Sequence, residues 1–123
     1  MATTTLFGVA LAPLFAAMAQ VESNNGKASA NVYQITERYV DDVNRISADE
    51  KFVYSDRYDR NRSERMMEIY WVYYVSRYID ATGQDPTLET LARIHNGGPY
   101  GWKKYATKRY WRRVKELLPG GKT

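Results

Sequence analysis

No cysteine occurs among the 123 residues. That excludes a disulfide framework, a thiolate metal site and a cysteine nucleophile, but it leaves export open. A single histidine excludes a multi-histidine metal site and argues against zinc hydrolase chemistry. No metal and no cofactor is expected. Internal repeats and low-complexity segments are missing, and so is a long unbroken apolar run. Leu6 to Ala19 is almost wholly apolar, but Pro13 interrupts it and it is too short for a secure membrane span. Met1-Ala2-Thr3-Thr4-Thr5 has none of the basic residues of a secretory leader, although Ala17-Met18-Ala19 resembles a signal-peptidase site. Cleavage after Ala19 would leave Glu22 as the third residue, without the rigid support that a catalytic carboxylate needs. The reading adopted places Pro13 in the first turn of a helix running to about Glu22. Residues 1–12 are then a leader remnant or an apolar extension, residues 13–119 one domain, and 120–123 a tail.

Aromatic residues and positive charge are plentiful. Eleven Tyr, three Trp and three Phe supply large burial areas for a small core, and ring faces also stack on sugars. Lys and Arg number 18 against 14 Asp and Glu. The excess gathers late in the chain: Trp102 to Lys115 carries Lys103, Lys104, Lys108, Arg109, Arg112, Arg113 and Lys115 with no acid. Such a face suits a polyanion such as an anionic cell wall, or is simply solvated.

The apolar spacing predicts a mostly α fold with a minimal or absent β-hairpin. After Asn24-Asn25-Gly26, a turn signal, residues 27–33 leave room for a minimal hairpin at most. Tyr39, Val40, Val43 and Ile46 recur at helical spacing, so residues 36–47 read as a helix capped by Thr36. Residues 48–58 read as a loop. A long central helix follows from about Asp59 to Ala81, with Met66, Ile69, Tyr70, Tyr73, Tyr74 and Arg77 as its inner stripe, broadened by Trp71, Val72 and Val75. Thr82-Gly83-Gln84-Asp85-Pro86 stops it. Thr87 caps a short helix to about Ile94, a loop spans Asn96–Gly101, and a last helix spans about Thr107 to Leu118.

Two features carry chemistry. Glu22 ends an apolar helix just before a turn. The negative end of the helix dipole and the apolar neighbours Val21 and Met18 disfavour a charged carboxylate, the environment that suits a general acid. Asn96-Gly97-Gly98-Pro99 follows another helix. Asn96 can both donate and accept, which suits an N-acetyl or hydroxyl group of a sugar, and Gly97-Gly98 leaves the backbone open to close approach. Either feature alone also reads as ordinary structure: an exposed glutamate, or a helix C-cap with a turn.

Together they carry a resemblance. Leu91-Ala92-Arg93-Ile94-His95-Asn96-Gly97-Gly98-Pro99-Tyr100-Gly101-Trp102, followed by Tyr110-Trp111 and Val114-Lys115, resembles the C-terminal signature of invertebrate-type (destabilase-like) lysozymes. Gln34-Ile35-Thr36-Glu37-Arg38-Tyr39-Val40-Asp41-Asp42 is similar to an upstream block of that family. Glu22-Ser23 matches its catalytic Glu-Ser pair. The matched blocks run over about residues 16–118, and cysteine-free bacterial or phage relatives are the nearest form. The same three blocks are also similar to lytic transglycosylases and goose-type lysozymes, with His95 where those have an aromatic residue before Asn.

The resemblance implies a peptidoglycan-cleaving glycosidase with Glu22 as general acid. Ser23, Tyr33, Gln34, Tyr39, His95, Asn96, Gly97 and Gly98 would contact substrate. It implies action on glycan strands in the bacterial envelope by a secreted, periplasmic or phage-associated monomer. The basic terminal helix would face the anionic wall, and no nucleic-acid partner or stable membrane span is expected. The departures are informative. Every family cysteine is missing, with Trp102 at one such position. The family's second carboxylate falls in a longer insert, whereas Ser23 to Val32 here contains no acid. Glu37 and Asp41, with Asp42, are the substitutes. Otherwise a single glutamate acts with water (a muramidase) or with the sugar's own C6 hydroxyl (a lytic transglycosylase). A degenerate glycan-binding domain and a basic nucleic-acid-binding helical protein are the other readings.

Overall fold

A computed structural model describes residues 5–23 and 31–120. Helices dominate: α1 Ala12–Glu22, α2 Glu37–Ile46, α3 Arg60–Thr82, α4 Leu88–Gly97 and α5 Thr107–Glu116. Short 3-10 turns occupy Tyr54–Tyr58 and Gly101–Lys103. The mostly α expectation holds, with a minimal hairpin. β1 (Thr5–Leu6) pairs antiparallel with β2 (Val9–Ala10), through Phe7 and Gly8 at φ 53° and 77°. Two positive φ angles match the twist of the flanking strands. The position at 27–33, where the sequence left room for a hairpin, lies outside the described residues as far as Ala30 and is turn or loop beyond it.

The helix boundaries follow from local chemistry. Pro13 sits in the first turn of α1, where its missing N–H costs nothing. The Thr36 hydroxyl accepts from the Tyr39 N–H at 3.2 Å, the Asp59 carboxylate from the Arg62 N–H at 3.0 Å, and the Thr87 hydroxyl from the Thr90 N–H at 3.3 Å. Each satisfies a donor that the first turn leaves without a helical partner.

Three expectations need correction. The inner face of α3 is Met66, Met67, Tyr70, Trp71, Tyr74, Val75 and Tyr78. Arg77 and Val72 are exposed, and Ile69 and Tyr73 only half-buried. The stripe is rotated because Trp71 and Tyr78 bury more apolar area than the residues they displace. Helix α4 runs through Asn96 to Gly97, three residues past Ile94, and stops where Gly98 turns to φ 88°. Helix α5 ends at Glu116 rather than Leu118.

Helix α3 is central. It packs against α2 and α4, while α1 packs against α5 and the end of α4. Trp71 is fully buried, stacks on Phe15 of α1 at 5.7 Å between ring centres, and donates its indole N–H to the Leu91 carbonyl at 2.9 Å. Leu14, Met18, Val43, Met66, Leu91, Ile94 and Val114 complete the core, each contributing about 1.5–3 kcal/mol when buried.

Below this core, Arg93 clamps α4 to α5. Although only 7% exposed, it is fully paired. Its Nε donates to Thr107 at 2.8 Å, Nη1 to Glu89 at 2.7 Å and Nη2 to the Lys104 carbonyl at 2.9 Å. A buried cation is tolerated only when satisfied in this way. The chain closes under it at Gly101, where a Cβ would lie 1.9 Å from the Arg93 carbonyl oxygen. Neither backbone can yield without opening the clamp. Gly101→Ala is therefore expected to destabilise by about 3 kcal/mol, the upper end of ordinary overpacking. A thermal melt followed by circular dichroism should drop by roughly 10 °C, and an unchanged midpoint would contradict the packing.

Candidate active site

One cleft of about 800 Å³ runs between the end of α1, the length of α2 and the end of α4, with Tyr70 of α3 in its wall. Its size falls in the ~300–1,000 Å³ range of ligand pockets. Glu22, Gln34, Tyr39, His95, Asn96, Gly97 and Gly98 all line it. The two separated sequence blocks thus meet on one surface.

The junction is His95, on α4, whose side chain is 3% exposed against 13% for that of Glu22. Its Nε2 lies 3.3 Å from Glu22 Oε2 and 3.0 Å from the Tyr33 carbonyl oxygen. Its Nδ1 lies 3.1 Å from the Tyr39 hydroxyl. Two acceptors face Nε2, so that nitrogen carries the proton in the neutral ring. The Tyr39 O–H then donates to Nδ1. Burial first, with the neighbouring Tyr70 phenol and the Glu22 charge adding to it, holds the Tyr39 phenol well above its ordinary ionisation range, so it remains a donor. The contact through Oε2 restrains rotation of the Glu22 carboxyl.

Tyr110 of α5 closes the far side of Glu22. Burial first, and then the Glu22 charge, push its phenol far above the usual range. Its hydroxyl is buried in the field of that carboxylate.

Gln34 enters the cleft from a strained backbone. Its φ is 54°, a left-handed value that costs a non-glycine residue on the order of 1–3 kcal/mol and clusters at functional sites. Its amide donates to the Asn31 carbonyl at 2.9 Å. Glycine at position 97 serves packing: a Cβ there would meet Thr107 Cγ2 at 2.4 Å. Gly98, with open space around it, is the point where backbone faces the cleft.

Other expected contacts lie elsewhere. Tyr33 is fully buried, and its hydroxyl donates to Glu64 Oε2 at 2.5 Å. It reaches the site through its carbonyl, not its ring, because Glu64 draws the phenol inward. Ser23 is buried and turns its hydroxyl onto the Ala19 carbonyl at 2.5 Å, a back-bond within its own helix. Among the carboxylates, Asp41 and Asp42 line the cleft and Glu37 does not. Glu37 occupies the exposed first position of α2, where a negative charge complements the helix dipole. Asp42 is engaged with Arg45 at 2.6 Å and the Tyr74 hydroxyl at 2.5 Å. Burial and that carboxylate push the Tyr74 phenol up to about 12.

Sequence reasoning missed the cationic wall of Arg38, Arg45 and Lys104, and also Tyr70. Helical spacing puts positions 38, 41, 42 and 45 on one face of α2, a signal that was available. Lys104 donates to the Gly97 carbonyl at 2.7 Å, capping α4. Among the described residues no three His, Asp or Glu side chains form a metal-binding group, and no helix is long and apolar enough to cross a membrane.

No protein-family model matches the chain. It is 34% identical over 86 residues to a lysozyme of the oyster Magallana gigas, covering 70% of this chain and 58% of that protein. It is 32% identical over 92 residues to a lysozyme of the clam Meretrix lusoria, covering 75% of this chain and 70% of that protein. It is 49% identical over 41 residues to Lysozyme 1 of Crassostrea virginica, covering 22% of that protein. The chain thus spans less than two thirds of the Magallana and Crassostrea relatives.

The hydrogen-bond pattern around His95 is directly testable. In ¹⁵N spectra recorded where the ring is neutral, Nε2 is expected to carry the proton and Nδ1 to appear as a bare acceptor. An Nδ1–H tautomer would contradict the arrangement.

Proposed function

Starting from the chain's membership of the invertebrate-type lysozyme family, we propose that it is a peptidoglycan glycosidase. It cleaves the β-1,4 bond between MurNAc and GlcNAc with Glu22 as its one catalytic carboxylate. The observation that carries this reading is the contact between Glu22 and His95, 3.3 Å apart, on the wall shared with Asn96 and Gly98.

The chemistry follows from the surroundings of Glu22. In its protonated form it donates to the glycosidic oxygen as the bond to MurNAc C1 breaks, so the leaving GlcNAc departs as an alcohol. Positive charge develops at C1. Water adding there, with loss of its proton, yields a reducing MurNAc end. The sugar's own C6 hydroxyl adding there, with loss of its proton, yields an anhydro end, and in either case the Glu22 carboxylate takes that proton back. Once Glu22 is a carboxylate, the His95 Nε2–H, 3.3 Å from its Oε2, is the donor that steadies the new charge. Asn96 and the Gly98 backbone offer polar contacts to N-acetyl and hydroxyl groups.

Support for one carboxylate comes from the alternatives. The stretch Ser23 to Val32 has no acid. Asp42 is occupied by Arg45 and Tyr74, and Glu37 stands off the cleft. Asp41, exposed on the cleft wall, is assigned to substrate contact rather than covalent attack. The basic face of α5, where Lys108, Arg109, Arg112 and Arg113 are all exposed, suits an anionic wall.

Digestion of purified peptidoglycan, with product mass analysis, tests this reading. Glu22→Gln should lower activity by about 10²–10⁴-fold, the usual worth of a general acid, with an unchanged melting midpoint. Reducing ends would assign hydrolysis and anhydro ends transglycosylation. Equal activity of wild type and Glu22→Gln would refute the assignment, and so would an inactive wild type.

A further inference from the structure

A second pocket of about 270 Å³ opens beside the cleft, between α2, α3 and the loop after α4. It shares Arg45 and Pro99 with the cleft, so the two adjoin. Its walls are aromatic, built from Tyr73, Tyr78, Tyr100 and Trp102, and they carry two guanidinium groups, Arg45 and Arg77.

The charges are unequal in kind. Arg45 is neutralised by Asp42 at 2.6 Å. Arg77 pairs with no carboxylate among the described residues. Instead it donates to the Tyr73 hydroxyl at 2.5 Å, with its guanidinium 4.7 Å from the centre of that ring. A third cation, Lys103, stands 4.9 Å from the centre of the Tyr100 ring and 5.7 Å from that of Trp102. The hydrogen bond from Arg77 pulls the half-buried Tyr73 phenol below its ordinary range, in keeping with a pocket that suits a negative oxygen. Its volume lies below the ~300–1,000 Å³ of pockets that enclose a whole ligand. That size suits a substituent of a ligand seated next door.

We propose that this pocket is a subsite for a free carboxylate of the peptide carried by the glycan strand in the main cleft, anchored by Arg77. The inference rests on the glycan-cleaving reading of that cleft. The planar fork of an arginine matches a carboxylate with two parallel hydrogen bonds. The aromatic walls accept the flat amide groups of a peptide, and the shared border at Arg45 and Pro99 sets the direction from sugar to substituent.

Binding, rather than turnover, provides the test. In the Glu22→Gln background, calorimetry compares two ligands: a GlcNAc–MurNAc disaccharide bearing a stem peptide with free carboxylates, and the same molecule with them amidated. The free-acid form should bind about tenfold more tightly, the worth of a charge-assisted contact. Adding Arg77→Gln should remove most of that preference, and Arg77→Lys should restore part of it. Circular dichroism checks that each variant is folded, as expected for an exposed side chain. Equal affinity for the two forms, no binding of either, or a preference that Arg77→Gln leaves intact would overturn the proposal. A free-acid preference in a chain whose wild type cleaves no peptidoglycan would retain the subsite and refute the glycosidase reading instead.

Discussion

One imidazole holds the cleft together. Nε2 of His95 faces both the Glu22 carboxylate at the end of α1 and the Tyr33 carbonyl in the segment leading to α2, and Nδ1 meets Tyr39 on α2. Three parts of the chain distant in sequence therefore converge on a ring carried by α4. A nearly buried polar ring is costly unless both nitrogens are matched. Losing the Tyr39 hydroxyl would leave Nδ1 unsatisfied and losing the ring would release the Glu22 carboxyl, so the geometry of the site and the stability of the junction rest on the same contacts.

The position of that ring depends in turn on how α4 is held. Arg93, two residues earlier, is clamped to Glu89, Thr107 and the Lys104 carbonyl. Gly97 and Gly101 let Thr107 and the Arg93 backbone come close. The Arg93 to Gly101 block thus divides by direction. Arg93 and Gly101 face the protein and fix α4 against α5, His95, Asn96 and Gly98 face the cleft, and Gly97 borders both. A motif that reads as one binding loop is half scaffold.

That division explains what was legible in the sequence. Helices announced themselves because caps such as Thr36, Asp59 and Thr87 act within three residues, and Glu22 and Asn96 stood out by chemical type. Direction was harder. Whether Tyr33 points into the cleft or the core depends on Glu64, 31 residues further on, and no local pattern encodes that pairing. Ser23 offered a hydroxyl, but its own helix carbonyl took it. Gly97 does line the cleft, but its missing Cβ also makes room for Thr107, which no local pattern announces. Arg77 was placed inside α3 by spacing alone. The burial of Trp71 and Tyr78 turned it outward, to the pocket beside the cleft.

The charges lining the cleft bear on how a single acid would suffice. An enzyme with a carboxylate nucleophile gains a covalent intermediate. One without it must hold its acceptor, water or a sugar hydroxyl, in place while the glycosidic bond breaks. Orientation of that kind is worth several kcal/mol and is drawn from binding energy remote from the reacting bond. Here Arg38 and Lys104 stand on the cleft wall, and the pocket of Arg77 adjoins it at Arg45 and Pro99. On the proposed reading, the cationic wall and the aromatic pocket would supply by positioning what the acid-free stretch between Ser23 and Val32 does not supply by chemistry.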